Sequence, residues 1–75
     1  MNRYQENAIN YLRAEIKTAR KARGENNVSR FRTICNMIHS EIDYCSIVGI
    51  FSIEKKNLLL KITDRMIYSN EKPLE

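Results

Sequence analysis

Tryptophan is absent from this 75-residue chain, which has two glycines, two cysteines, one proline and one histidine. Each scarcity excludes something. Gly24 and Gly49 stand alone, so there is no glycine-rich loop to cradle a phosphate. His39 has no companion histidine, whereas zinc needs about three or four converging ligands. On a helix it projects about 100° from the apolar centre, as a solvated side chain. Cys35 and Cys45 are ten residues apart. On one helix their Cα atoms are about 15 Å apart, too far for a disulfide. They read as two small buried hydrophobes, and reduced thiols point to the cytoplasm. No apolar run approaches the roughly 20 residues that span a bilayer, and the opening MNRYQENAINYLRAE contains no secretory apolar core. Glu41, Asp43 and Asp64 read as ordinary helix-surface acids, and no serine sits in a nucleophile elbow. The expectation is therefore no catalytic residue, no cofactor, no metal and no small-molecule substrate.

What is present is an ordinary globular balance, 43% hydrophobic and 29% charged, with a net charge of +4. The length allows a single domain spanning 1–75, with a thin core that invites self-association or a partner. The charge is lopsided. Residues 1–37 carry eight basic and three acidic side chains, and residues 38–75 carry five and six. Such asymmetry points to an anionic partner.

Three apolar stripes at helical spacing divide the chain. In the first segment, 3–23, Ala8, Ile9, Leu12, Ile16 and Ala19 cluster on one side, with Tyr4 and Tyr11 beside them and Asn2 as N-cap. In the second, 27–48, the stripe is Phe31, Ile34, Cys35, Ile38, Ile42 and Cys45, widened by Met37, Tyr44 and Val48. Being the most apolar, it is expected to be central. In the third, 52–68, Ser52 is the N-cap and Leu58, Leu59, Ile62 and Met66 form the inward face. Gly24 and Gly49 are read as left-handed stops, and residues 69–75 as a flexible tail. Short links make neighbours antiparallel. The fold class is all-α: a small dimeric three-helix bundle, a hairpin of the second and third helices with the N-terminal helix packed on it.

Two surfaces remain. Arg13, Lys17, Arg20 and Lys21 lie opposite the first apolar stripe, with Arg23 at the adjoining turn, and no acid stands four residues from Arg13 or Lys17. This face suits an anion or a nucleic-acid backbone. On the third helix, Ile53, Leu60 and Ile67 repeat every seven residues opposite the inward face, a stripe suited to a homodimer or a protein partner. A polar recognition helix for reading bases is missing. The expected function is that of a small non-enzymatic binding or regulatory protein, of the kind common among bacterial and phage accessory proteins. Backbone binding to nucleic acid through the first helix is the alternative.

Overall fold

The computed structural model describes residues 1–68, which form α1 (Arg3–Gly24), α2 (Val28–Ile47) and α3 (Ile53–Tyr68). The tail expected at 69–75 lies outside the described residues. Each helix starts where a short polar side chain meets an orphan amide. The Asn2 side chain accepts from the Gln5 amide at 2.9 Å, while the Gln5 side chain accepts from the Asn2 amide at 3.1 Å. This reciprocal box satisfies two donors of the first turn. Asn27 Oδ1 accepts from the Arg30 amide at 3.2 Å and Ser52 Oγ from the Lys55 amide at 3.1 Å.

The first turn differs from the sequence expectation. Helix α1 runs through Gly24, and the left-handed residue is Asn26, with φ 58°. Asparagine tolerates that region better than other non-glycine residues because its short polar side chain is accommodated there. The Asn27 amide then donates to the Ala22 carbonyl at 2.9 Å. At the second turn Gly49 does supply the left-handed residue, with φ 83°, and the Ile50 amide closes on the Cys45 carbonyl at 2.8 Å. The two glycines therefore respond oppositely to a methyl group, although both have open space around them. Gly24→Ala is expected to stabilise by about 0.5 kcal/mol, through helix propensity. Gly49→Ala is expected to cost about 1 kcal/mol, through left-handed strain. Urea unfolding of the two variants checks both signs.

Helices α1 and α3 run parallel, tied start to start and end to end. Gln5 Nε2 donates to the Ile50 carbonyl at 3.0 Å, and Arg23 Nη1 donates to the Ile67 carbonyl at 2.9 Å. Helix α2 runs antiparallel to both, and it holds α3 through His39–Asp64 at 2.8 Å and Lys56–Asp43 at 3.0 Å. His39 is thus a clip between helices, whereas sequence reading left it solvated. Exposed pairs of this kind contribute little, about 0–1 kcal/mol each.

The buried core is Leu12, Ile16, Ala19, Ala22, Ile34, Cys35, Ile38, Ile42, Phe51, Leu59 and Ile67. Ala19 and Ala22 are fully enclosed. Their small side chains let α1 settle closely on α2, and the α1–α2 seam is more extensive than that of the α2–α3 hairpin. Cys35 and Cys45 are both free thiols on α2, the first buried and the second half-buried. Tyr68 closes the far end, edge-on to Phe31 with ring centroids 5.7 Å apart.

Helix α3 is turned about a quarter turn from its expected orientation. The expected inward face was Leu58, Leu59, Ile62 and Met66. The observed one is Leu59, Thr63 and Ile67, with Leu60 and Met66 packed partly against the core. Leu58 and Ile62 are instead 48% and 41% exposed. The face carrying most aliphatic carbon on the isolated helix therefore does not point inward. Docking between two other helices places Thr63 in the middle of the contact, and tertiary packing overrides the hydrophobic count.

Candidate contact surfaces and a buried acid pair

The quarter turn of α3 redistributes the stripe expected at Ile53, Leu60 and Ile67. Ile67 is 1% exposed and belongs to the core, Leu60 is half-buried against it, and Ile53 is exposed at the start of the helix. The three do not share a surface. In their place Leu58 and Ile62, one turn apart, form an exposed apolar pair. The flanking Lys55, Lys61 and Arg65 are also exposed. Helical periodicity places Leu58 and Ile62 opposite Lys56 and Asp64, and so on the side of α3 turned away from α2.

On α1, Arg13, Lys17 and Lys21 are exposed and Arg20 is half-buried. Arg23 is not part of a free stripe, because its guanidinium binds the Ile67 carbonyl in the last turn of α3. That arrangement suits the negative end of a helix. Lys21 has Glu25, the C-cap of α1, four residues on. Arg13 and Lys17 lie opposite the α2-facing side of α1. Because α1 and α3 are parallel neighbours, these cations and the Leu58–Ile62 pair occupy the same side of the molecule.

Between α1 and α2 lies a feature that sequence reading missed. Glu15 is buried, only 9% exposed, and its neighbour across the seam is Glu41, half-buried on α2. Glu15 Oε1, Glu15 Oε2 and Glu41 Oε2 are buried with no donor. Two ionised carboxylates in such a place would repel at close range with no counter-charge. A proton on Glu15 resolves this by turning its oxygen into a donor toward Glu41. Accordingly the Glu15 carboxyl is pushed from 4.5 up to about 8, first by burial, then by the hydrogen bond to Glu41 and the charge of Glu41.

Tyr11 stands over this pair, its phenol raised above its ordinary value by the charge of Glu41 and then of Glu15. Cys45 is raised by burial and by Glu41, and Cys35 mainly by burial. Glu41, expected to be an ordinary surface acid, is therefore the half-buried partner of a buried acid. The signal in the sequence is Glu15 itself, set among Ala8, Ala19 and Ala22 at distances of seven, four and seven residues, on the edge of the apolar stripe.

Among the described residues no group of three or more His, Cys, Asp or Glu side chains is placed to hold a metal ion, and no helix is long and apolar enough to cross a membrane. No family model, no curated protein and no solved structure matches this chain.

Proposed function

We propose that this is a small non-catalytic binding protein that acts by occupying a protein partner with the side formed by α1 and α3. One observation carries the reading: Leu58 and Ile62 are exposed with Lys55, Lys61 and Arg65 beside them and a single acid, Glu54, one turn before, next to the basic face of Arg13 and Lys17. Exposed aliphatic side chains rimmed by charge are the composition of a docking surface. The chemistry it fits is an amphipathic helix with apolar residues on one edge and acidic ones on the next. A non-catalytic role is supported by the state of the ionisable groups. Burial pushes both thiols up, His39 is engaged with Asp64, and both carboxyl oxygens of Glu15 are buried.

The test is the double variant Leu58→Asp/Ile62→Asp. Both positions are exposed, so the fold is expected to lose no more than about 1 kcal/mol. Capture of the protein's partner at moderate salt is expected to fall at least tenfold. Equal capture by the variant would overturn the reading.

A second reading is favoured by the same α1 face. Arg13 and Lys17 are exposed with no acid four residues away, which suits contact with a phosphate backbone. On duplex DNA such contacts give a log–log salt slope of about −0.9 per phosphate. Under this reading Arg13→Glu/Lys17→Glu abolishes binding while Leu58→Asp/Ile62→Asp leaves it intact. Under the first, both doubles weaken partner binding and no steep salt-dependent affinity for duplex exists.

A further inference from the structure

The α1–α2 seam is packed in two unequal halves, and the acid pair lies on the boundary between them. In the tight half, Ile16, Ala19 and Ala22 of α1 and Ile34, Cys35 and Ile38 of α2 are all buried. The other half is loose. Before Leu12 on α1 and beyond Ile42 on α2, no residue of either helix is buried: Gln5, Ala8, Ile9, Cys45 and Ser46 are half-buried and the rest exposed. Glu15 and Glu41 sit where one half gives way to the other. Three of their oxygens are buried with no donor, so a proton shared between the two side chains is what makes their contact attractive.

We propose that this shared proton is a latch: with it the loose half of the seam is shut, and without it the first half of α1 parts from the end of α2 while the rest of the bundle stays folded. The surroundings of Glu15 set the direction. Its titratable neighbours are Tyr11 on α1 and Glu41 and Cys45 on α2. Lys56 and Asp64 of α3 are engaged with Asp43 and His39, which periodicity places on the opposite side of α2 from Glu41. Burial and then Glu41 push the Glu15 carboxyl up to about 8, and no cation among the described residues acts on it. An ionised Glu15 therefore finds relief only in water. In the open seam it is an ordinary carboxyl, so the closed form holds the proton more tightly and rising pH favours opening. A half with so few enclosed side chains opens below the global unfolding free energy. Gln5, bound to the Ile50 carbonyl, keeps α1 tethered meanwhile.

The two cysteines report on the two halves. Cys45 is half-buried in the loose one, beside Glu41, and Cys35 is buried in the tight one. The full chain is alkylated with iodoacetamide at about 20 °C between about pH 6 and 9, and each thiol is followed by peptide mass spectrometry. Dividing the parent rate by that of Glu15→Gln at each pH cancels the ionisation of the thiols themselves. At Cys45 this ratio is expected to be about 1 at the low end, to rise at least about fivefold by pH 8 and then to level off. At Cys35 it stays flat. Should Glu15→Gln lose its helical circular dichroism, Glu41→Gln, which removes the repulsion from the half-buried side, takes its place. A Cys45 ratio that does not change with pH overturns the latch. So does a Cys35 ratio that rises in step with it, since that is the result of whole-chain unfolding.

Discussion

Raising the pH from 5 to 9 is expected to lower the melting temperature by on the order of 10 °C or more, and Glu15→Gln is expected to abolish most of that dependence. The cause is the buried acid pair. In the unfolded chain the Glu15 carboxyl titrates near 4.5, and in the folded chain near 8. Between those values the folded state binds the extra proton, so stability falls as pH rises through the window, and the loss is complete above about 8. Each pH unit within it corresponds to about 1.4 kcal/mol per proton. Relaxation of the seam and water entry trim the total to on the order of 2–4 kcal/mol, a large share of a small domain's stability. Tyr11 on α1 and Glu41 and Cys45 on α2 are the titratable neighbours, and none is a cation able to neutralise an ionised Glu15. Glutamine keeps the shape and a donor toward Glu41 without a titrating group. Thermal unfolding of parent and variant at several pH values checks this, and a parent profile that is flat from pH 5 to 9 would refute it.

Two isoleucines five residues apart on α3 are expected to behave very differently. Ile67→Ala removes a side chain that is 1% exposed and touches the core. Loss of transfer energy together with the cavity left behind is expected to cost about 2–4 kcal/mol. A domain of this size has only about 4–10 kcal/mol in total, so this variant is partly unfolded at physiological temperature. Ile62→Ala truncates a side chain that is 41% exposed. The expected cost is below about 1 kcal/mol, part of it returned by the higher helix propensity of alanine. Urea midpoints of the two variants measure the rotation of α3 directly, and equal costs would place the helix back on its Leu58–Ile62 face.

That rotation marks where sequence reading reaches its limit. The three helices, the caps Asn2 and Ser52, the left-handed Gly49 and the separation of the cysteines were legible, because each follows from local rules: period, capping chemistry and helical rise. Orientation about the helix axis is not local. For α1 and α2 one stripe clearly outweighs the rest, and the core residues Leu12, Ile16, Ile34, Ile38 and Ile42 fall where the pattern puts them. Helix α3 has aliphatic residues on several sides and a threonine at the centre of its true contact, so its pattern cannot choose. The basic face was half legible. Exposure of Arg13 and Lys17 follows from the wheel, but the engagement of Arg23 depends on where α3 ends. Reading by residue type also hid the acid pair, since a glutamate counts as surface until the helix opposite it is known.

A photo-crosslinking residue at position 58 of the full chain, on the side that carries Leu58, Ile62, Arg13 and Lys17, is expected to yield a covalent product with a different protein in the cells that make it. A chain left uncrosslinked there, or one that gives only its own dimer, would rule out that side as the docking surface.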